Sequence, residues 1–495
     1  MRRRVSAGVW AGAPVRAEKA SGVGLLPDTG EVIPHRSTTL TRQRTLLGVT
    51  SGASPRILLL TSTLGSGHAA ASRALEAALL ERAPAATVQT LDFWSLMDDG
   101  VAGAGRRAYL HLVQKRADLY DRLYQLDQRT WRHILVSDGA PPSALRAAFD
   151  LLAAACTESM DLEPGGARYA SDRLLFRLLC SSLLRRGRTT LANSALVRLA
   201  LVKWSWARLA RRLETRLLSF GPDAIVATQM GPAALLASVK KRRGLDIPTV
   251  GVPTDFGVHD FWVQPGIDCY CLAHESVADL QSVEAAQVLV SGIPLMSGFR
   301  DPPPARQARL QLGLDPDVPV LLVQGGGLGL GVDAVAERLL ARTGDVQVLA
   351  LIGRNAAARE ALAPVAARYP TRLRVWGWTE RMEIFVSAAD VVVGKPGGLT
   401  VAEALACGRP LLATRSLRGQ EGFNVRFLER QGVGRLVAED ELVPQVESLL
   451  RDPDQLARIQ HRAWALGRRD GAARIADVVL ALAQSRTAQE TVKAQ

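Results

Sequence analysis

The 495-residue sequence predicts an α/β protein of two domains, each built on a doubly wound parallel sheet. Short apolar runs rich in Val, Ile and Leu alternate with helical segments along the chain, which is typical of such sheets. The segment Asp301-Pro302-Pro303-Pro304 interrupts this alternation and is the clearest linker. Two Rossmann-like domains joined by this hinge would face a cleft, where ligands bind at the carboxyl ends of the strands.

The predicted elements divide the chain into a first domain over residues 55–300, a linker over 301–317, a second domain over 318–470 and a C-terminal helix over 471–495. A helical, basic insertion is expected within the first domain at about residues 137–217. Predicted strands occupy residues 56–61, 87–92, 223–228, 248–253, 268–273 and 287–291 of the first domain and residues 318–324, 346–352, 373–377, 390–394 and 410–414 of the second.

The composition is that of a globular protein with reduced thiols. Apolar residues make up 47% of the chain, which excludes wholesale disorder. The five cysteines are scattered and lack metal-ligand spacing, so we expect reduced core residues in a cytoplasmic protein. The sequence has no uncharged apolar run of about 18 residues, so no transmembrane helix is expected. Residues 1–47 are Arg-rich and lack the apolar core and cleavage site of a secretory signal, so residues 1–54 are expected to form a disordered arm. An over-long start assignment and an organellar transit peptide are the alternatives.

The net charge of +13 is concentrated in residues 173–216, which contain eleven Lys or Arg and one acid. Basic and apolar side chains interleave there, as in amphipathic helices that lie on an anionic membrane surface. A helix packed on its own domain with a solvated basic face is the alternative. Nucleic acid is not expected as a partner, because no nucleic-acid-binding motif accompanies the charge. The residues predicted to contact the membrane are Arg177, Arg185, Arg186, Trp204, Trp206 and Arg211.

The stretch from Lys395 to Asn424 carries the strongest functional signal. A β-branched run ends at Gly394, Pro396-Gly397-Gly398 forces a turn, and a short apolar helix follows. Such a turn exposes free N–H groups and the positive end of the helix dipole, which suits a diphosphate. Glu403, one turn along the helix, can accept hydrogen bonds from ribose hydroxyls, although a solvated glutamate in an ordinary βαβ unit is the alternative. The following loop supplies polar groups of the kind that bind a sugar: Gln420, Glu421 and Asn424.

A second glycine turn, from Thr63 to His68, follows the first predicted strand. Gly65 and Gly67 allow the backbone to turn tightly, and His68 begins the next helix. An imidazole there can accept a proton near neutral pH as an acceptor hydroxyl attacks, whereas a structural histidine is the alternative.

Asp255 follows another predicted strand and is a second candidate for the general base. His259, a few residues further on, is a candidate for contact with either substrate. Phe261 and Trp262 come next, and each either packs in the core or lines a lipid entrance.

The glycine-rich loop from Gln324 to Gly331 ends the first strand of the second domain. No strict GxGxxG pattern aligns with it, and no acid is clearly placed downstream, so the sequence gives little support to dinucleotide binding. Arg354 and Asn355 follow the next apolar strand and are expected nearby.

Five of these motifs occur in the order found in one known group of enzymes. The chain resembles the GT-B glycosyltransferases that include the diacylglycerol galactosyl- and glucosyltransferases, or monogalactosyldiacylglycerol synthase-like family. The transferase that adds N-acetylglucosamine to the lipid-linked peptidoglycan precursor is a more distant relative. The resemblance runs over about residues 56–437 and depends on residues 63–68, 254–256, 292–294, 325–331 and 353–355, together with 395–424.

The resemblance implies a metal-independent inverting transfer of a hexose from a UDP-sugar to a lipid hydroxyl, most simply that of diacylglycerol. The enzyme would need no cofactor beyond its donor and would work as a peripheral protein at the cytoplasmic face of the membrane. His68 or Asp255 would take the acceptor proton, and His259 and Trp262 would lie near the acceptor. The remaining donor residues implied by the resemblance are Gly67, Gly326, Gly327, Arg354, Asn355, Thr379, Gly397, Gly398 and Thr400.

The sequence departs from the family at Gln229-Met230, where members that act on diacylglycerol often carry a His-Pro pair. This departure leaves the acceptor open. A UDP-sugar-dependent transferase with a polyprenyl-linked or soluble acceptor is one alternative. A non-catalytic protein that binds a membrane or a nucleotide is another.

Overall fold

The computed structural model describes residues 54–63, 65–97, 102–103, 195–277, 287–414 and 421–494. Residues 1–53 of the predicted arm and residues 137–194 of the predicted insertion lie outside these ranges, as do the site candidates Arg177, Arg185, Arg186 and Gln420.

The first domain is built on a six-stranded, all-parallel sheet of order β2-β1-β3-β4-β5-β6. The four central strands of this sheet are buried over all or nearly all of their length, because parallel sheets are covered by helices on both faces, whereas the two edge strands are more exposed. This burial explains why the central strands appear in the sequence as continuous apolar runs. The strands are β1 (Arg56–Thr61), β2 (Thr87–Asp92), β3 (Ala224–Ala227), β4 (Thr249–Gly251), β5 (Cys269–Leu272) and β6 (Gln287–Val290).

The second domain repeats the architecture with a six-stranded parallel sheet of order β12-β11-β10-β7-β8-β9. Five of its strands coincide with the predicted ones, which confirms the predicted fold class. The sixth, at the sheet edge, is only three residues long and has no apolar run to predict it. The strands are β7 (Val320–Gln324), β8 (Gln347–Gly353), β9 (Leu373–Gly377), β10 (Val391–Gly394), β11 (Leu411–Ala413) and β12 (Gly434–Leu436).

Helices separate the strands and cover both sheets. The described helices are α1 (Ser66–Arg82), α2 (Ala195–Phe220), α3 (Met230–Arg243), α4 (Ala305–Gln311), α5 (Val332–Arg342), α6 (Ala356–Arg368), α7 (Met382–Ala388), α8 (Gly398–Ala406), α9 (Glu421–Gln431), α10 (Leu442–Arg451), α11 (Pro453–Leu466) and α12 (Gly471–Ala494).

The C-terminal helix α12 returns to the first domain. Ile475 and Val479 of α12 pack with Ile57 and Leu59 of β1 and with Leu75 of α1 in one buried cluster. On the other face of the same sheet, α2 and α3 form a second core. The first domain is therefore completed by residues from the far end of the chain.

Apolar contacts also join the two domains. Phe256, in the loop after β4, has its ring centroid 4.2 Å from that of Phe427 on α9. Both rings belong to a core cluster that includes Phe299 and Leu322. The second domain thus buries its surface partly against the first.

No helix in the described ranges has both the length and the apolar character needed to cross a membrane.

Candidate active site

A cavity of about 1010 Å³, counting its open mouth, lies where the two domains face each other. Its walls come from the N-terminal half of α1, the loop after β7, the turn after β9 and the first turns of α8. The lining side chains include Ser66, Gly67, Gln324, Gly326, Gly327, Trp378, Thr379, Thr400 and Glu403.

Gln324, at the end of β7, links two glycine turns of the second domain: the loop after β7 and the turn before α8. Its Oε1 accepts a hydrogen bond of 2.9 Å from the Gly326 amide. Its Nε2 donates to the Lys395 carbonyl at 3.2 Å and to Thr400 Oγ1 at 3.3 Å. The glycine loop is therefore tied to the turn before α8, a role that the sequence analysis did not assign to Gln324.

The loop at Gly326 and Gly327 approaches the first domain closely. The Gly327 amide donates a 3.4 Å hydrogen bond to Ser66 Oγ at the start of α1. A Cβ at position 327 would lie 3.0 Å from Ser66 Cβ, so glycine permits this approach. Gly67, the next residue, faces open space within the cavity wall.

Helix α8 presents its N-terminus beside the same loop. Gly397 is the N-cap and contributes no side-chain hydrogen bond to the helix. The first amides of a helix have no acceptor within the helix, so those of Gly398 to Thr400 are available to a ligand. Gly398 has a second role, because a Cβ there would lie 1.8 Å from the Thr254 carbonyl oxygen of the first domain.

Glu403 lines the cavity one turn along α8 and is half-buried. Burial, together with the nearby Glu383 carboxylate, raises the pKa of Glu403 to about 8. From the sequence, we predict that this side chain accepts hydrogen bonds from the ribose hydroxyls of a nucleotide.

The turn after β9 forms the opposite wall. Thr379 lines the cavity and its Oγ1 accepts a 3.0 Å hydrogen bond from the Arg381 amide. Trp378 also lines it, with the Arg354 guanidinium 4.2 Å from its ring centroid. Cation–π contact of this kind holds the indole in place.

Arg354 and Asn355, predicted to contact the donor, are not among the described residues that line the cavity. Arg354 reaches the site through Trp378 and through its backbone amide, which donates to the Gly327 carbonyl at 3.1 Å. Asn355 is the N-cap of α6, with Oδ1 accepting from the Ala358 amide at 3.0 Å. Asn355 Nδ2 donates to the Gly329 carbonyl at 3.4 Å, so this residue supports the glycine loop rather than facing a ligand.

His68 lies immediately after Gly67 and is held from the side of the first domain. Its Nδ1 lies 3.0 Å from the Thr228 carbonyl oxygen and 2.9 Å from Thr254 Oγ1. Because a carbonyl oxygen only accepts, this contact assigns the hydrogen to Nδ1 and leaves the Nε2 lone pair free to accept a proton.

The electrostatic surroundings keep His68 neutral. Burial lowers the pKa of the imidazole below its ordinary value, and the positive charge of Lys395 acts in the same direction. The carboxylate of Asp255 and the hydrogen bond to Thr228 oppose this shift in pKa. At neutral pH, the residue is therefore an unprotonated base beside a carboxylate.

Asn424 does not face the cavity as predicted. It is fully buried, and its Oδ1 accepts a 2.7 Å hydrogen bond from the Phe256 amide. Its Nδ2 donates to Asp255 Oδ1 at 2.9 Å and to the Pro396 carbonyl at 3.0 Å. Asn424 thus joins the two domains and orients Asp255, a role that the sequence did not predict, and its contact with the sugar stays a prediction.

Glu421, predicted to contact the sugar, begins α9 and is buried. Its carboxylate forms an ion pair with Lys395, the residue before the PGG turn. In this arrangement the carboxylate is directed at a protein cation, and its contact with the sugar stays a prediction.

The acceptor candidates also change. His259 Nδ1 accepts a 3.0 Å hydrogen bond from the Phe261 amide, so this histidine stabilises the short helical turn Asp260–Trp262. Trp262 is 6% exposed and belongs to the first-domain core, which agrees with the first of its two predicted alternatives, core packing or a lipid entrance. Gln229, at the position where the family often has histidine, caps α3 by accepting from the Gly231 amide at 2.8 Å.

Helix α2 is anchored by one face and exposes the other. Leu213 and Leu217 are buried against the first domain, and Trp206 donates from Nε1 to Ser238 Oγ at 3.2 Å. Trp204 is 41% exposed, and Arg211 is also exposed. Trp206 therefore packs partly on its own domain, whereas Trp204 and Arg211 face outward.

Among the described residues, no group of three or more His, Cys, Asp or Glu side chains is arranged to hold a metal ion.

Comparison with known proteins bears on the reaction class. Residues 178–295 match the family model described as monogalactosyldiacylglycerol (MGDG) synthase, and residues 320–475 match the glycosyltransferase family 28 C-terminal domain. The processive diacylglycerol beta-glucosyltransferase of Bacillus subtilis is 31% identical over 278 residues, which cover 55% of this chain and 72% of that enzyme. The enzyme of the same name from Bacillus licheniformis is 31% identical over 262 residues, covering 52% of this chain and 68% of the relative.

The chain belongs to the same glycosyltransferase family as these two diacylglycerol beta-glucosyltransferases.

Among solved structures, the crystal structure of Acinetobacter baumannii MurG is similar in fold to this glycosyltransferase. The TM-score is 0.51 at 14% sequence identity, over 86% of this chain and 99% of that one. At this identity the likeness concerns the fold alone, and it agrees with the GT-B arrangement of two parallel-sheet domains.

Proposed function

We propose that this glycosyltransferase moves a hexose, glucose or galactose, from a UDP-sugar to the free hydroxyl of a diacylglycerol. The observation that carries the proposal is the position of His68, a neutral base that directly follows Gly67 in the wall of the cavity between the two domains. The related glucosyltransferases of the two Bacillus species carry diacylglycerol in their names, which supports the same acceptor here.

The donor would lie across the second domain. The diphosphate would bind between the amides at the start of α8 and the loop at Gly326 and Gly327. The ribose would bind at Glu403, and the uracil would lie against the turn at Thr379. Gln324 keeps the two phosphate-binding turns in register through its three hydrogen bonds.

The reaction would be a single displacement that inverts the anomeric carbon. The acceptor hydroxyl transfers its proton to His68 Nε2, and its oxygen forms a bond to the anomeric carbon. The bond from that carbon to the β-phosphate oxygen breaks, and UDP leaves with the electron pair. The Asp255 carboxylate stabilises the imidazolium that forms, and Asn424 holds that carboxylate in place.

The leaving group would be stabilised without a divalent ion. Amides fixed at the start of α8 point at the charge that develops on UDP, and one such preorganised donor contributes on the order of 3 kcal/mol to a transition state. We therefore expect EDTA to leave turnover unchanged. A loss of turnover that Mg²⁺ or Mn²⁺ restores would contradict this part of the proposal.

Contact with the acceptor would occur at the cytoplasmic face of a membrane, to which the protein binds peripherally. The outward face of α2 supplies the aromatic and basic groups for this, with Trp204 and Arg208 stacked 5.0 Å apart and Arg211 one turn further on.

The test is an acceptor panel. The purified protein is incubated with radiolabelled UDP-glucose or UDP-galactose and with vesicles that contain diacylglycerol, a polyprenyl phosphate, or neither lipid. We expect label in the lipid extract, and release of UDP, only with diacylglycerol. Transfer to the polyprenyl lipid alone would overturn the acceptor, and UDP binding without any release of UDP would favour a non-catalytic role.

A further inference from the structure

One wall of the cavity has no role in the chemistry described above. It is the face of α1 formed by Ser66, Gly67, Ala70 and Arg73. Steps of three and four residues place these positions on one side of the helix. The first three side chains are small and leave the cavity open, whereas Arg73 is long and exposed.

Arg73 is the only cationic side chain among the described residues that line the cavity, whose acids are Glu380 and Glu403. Within the part of the chain that the structure describes, the side chain of Arg73 makes no hydrogen bond and no ion pair. Arg82, at the far end of the same helix, is in contrast paired with Asp477. The guanidinium of Arg73 therefore faces the cavity with its five donors available.

An unneutralised arginine in such a cleft favours an anionic ligand. Guanidinium groups bind phosphate oxygens through two parallel hydrogen bonds, and the charges make these bonds stronger than those between neutral groups. Within a nucleoside diphosphate sugar, the only charged part is the diphosphate. The uracil, ribose and hexose are neutral and gain much less from a nearby cation.

We propose that Arg73 binds the diphosphate of the donor, so that the first domain contributes directly to a nucleotide site otherwise built by the second. This inference rests on the proposed function. Because α1 belongs to one domain and the glycine loop and α8 belong to the other, a diphosphate held by both joins the two walls of the cleft. Donor binding then favours the closed arrangement in which His68 lies beside the sugar.

The test measures dissociation constants of UDP, UMP and uridine by calorimetry for the full-length protein and three variants. Arg73→Met removes the charge, Arg73→Lys keeps it, and Arg82→Met changes the same residue type on the same helix outside the cavity. We expect Arg73→Met to weaken UDP binding about tenfold, Arg73→Lys about threefold or less, and Arg82→Met not at all. The effect of Arg73→Met should shrink from UDP to UMP and vanish for uridine, and should diminish in high salt.

Equal UDP binding by the wild type and Arg73→Met would overturn the inference and leave the proposed function intact. An equal loss for uridine and UDP would overturn the assignment to the diphosphate. Failure of the wild type to bind UDP would overturn the proposed function itself. Melting temperatures of the variants show whether each is folded, and the exposed position of Arg73 predicts no change.

Discussion

His68 is the residue on which the proposed chemistry depends, and its environment explains why a histidine serves as a base there. The Thr228 carbonyl fixes the hydrogen on Nδ1, and burial lowers the pKa of the ring, so the free Nε2 is unprotonated at neutral pH. The nearby Asp255 carboxylate then favours the charged ring that forms during reaction.

We predict that His68→Gln lowers kcat about 10²- to 10⁴-fold, because the acceptor hydroxyl loses its base. Asp255→Asn should lower it about tenfold, since only the stabilising charge is lost. Neither change should alter the dissociation constant of UDP more than about twofold. Initial rates with saturating donor, measured with vesicle-bound diacylglycerol, provide the comparison.

The pH profile separates this role from a structural one. The wild-type rate should rise with pH and level off above a pKa lower than the ordinary histidine value of about 6.5. Near-native rates in both variants, or an acid limb centred above that value, would show that another group takes the proton.

Glu403 is kept largely protonated at neutral pH by burial and by Glu383, which raise its pKa to about 8. In the unfolded chain its pKa returns to the ordinary glutamate value of about 4.5. Between these two values the folded state retains a proton that the unfolded state has lost, so the stability of the ligand-free protein falls as pH rises from about 4.5 to 8.

We predict that Glu403→Gln removes this part of the pH dependence. The variant should match the wild type near pH 4.5 and exceed it at pH 8.5 by on the order of 1–2 kcal/mol, a rise of a few degrees in Tm. At pH 8.5, where the wild-type side chain is an ionised carboxylate that can accept from both ribose hydroxyls, the variant should also bind UDP about tenfold more weakly, because its amide has a single acceptor oxygen. Scanning calorimetry at the two pH values tests the first effect and calorimetric titration the second.

Glu380→Gln is the control, because Glu380 also lines the cavity but is exposed. A stability difference that is the same for both variants at both pH values would contradict the account of Glu403.

At the level of elements, the start of α8 is where binding and domain contact coincide. Gly398 lies so close to the Thr254 carbonyl that its missing side chain is required for the domains to meet. At Gly397, one residue earlier, an added Cβ would have Thr400 Oγ1 as its nearest contact, at 3.8 Å, so a side chain fits there. Packing against the first domain therefore requires glycine at position 398 but not at position 397.

We predict that Gly398→Ala separates the domains and lowers the free energy of unfolding by about 1–3 kcal/mol, as overpacking does elsewhere. Gly397→Ala should leave the free energy of unfolding within about 0.5 kcal/mol of wild type. Urea denaturation of both variants measures the difference. Equal stabilities would mean that the contact with Thr254 does not hold the domains.

The sequence predicted the location of these elements well, and for a physical reason. Parallel strands buried on both faces must be continuous apolar runs, and glycine turns at their carboxyl ends are visible as short motifs. The edge strand β12 was missed because three residues at a sheet edge carry no such run.

The hydrogen-bond partners of the site side chains could not be predicted from the sequence, for a different reason. Thr228 is 160 positions from His68, and Asn424 is 169 positions from Asp255, so only the folded topology brings them together. The protein contacts of Asn424 and Glu421 could not be predicted from the sequence for the same reason. Both residues are polar and follow the right helix, yet their hydrogen-bonding and ionic partners belong to the protein.

Across the whole molecule, the far end of the chain completes the first domain, and α2 presents an outward face on the same domain. Trp204, Arg211 and the 66% exposed Leu218 lie on this face. Their counterparts Leu213 and Leu217 are buried. A helix fixed by one side and both basic and apolar on the other is suited to the surface of an anionic bilayer.

We predict that Arg211→Ala weakens binding to anionic vesicles about fivefold, because each basic residue near such a surface contributes about 1 kcal/mol. Arg451→Ala removes an equally exposed arginine from the second domain and should have no effect. Flotation with vesicles of increasing phosphatidylserine content measures both. Equal losses would indicate that net charge alone, rather than the face of α2, directs binding.

The proposed function depends on where the nucleotide binds, and a crystal structure with UDP measures that position directly. We predict that the diphosphate lies between the amides of Gly398 to Thr400 and the loop at Gly326 and Gly327, and that the ribose hydroxyls contact Glu403. Density for UDP at any other place on the protein would contradict it.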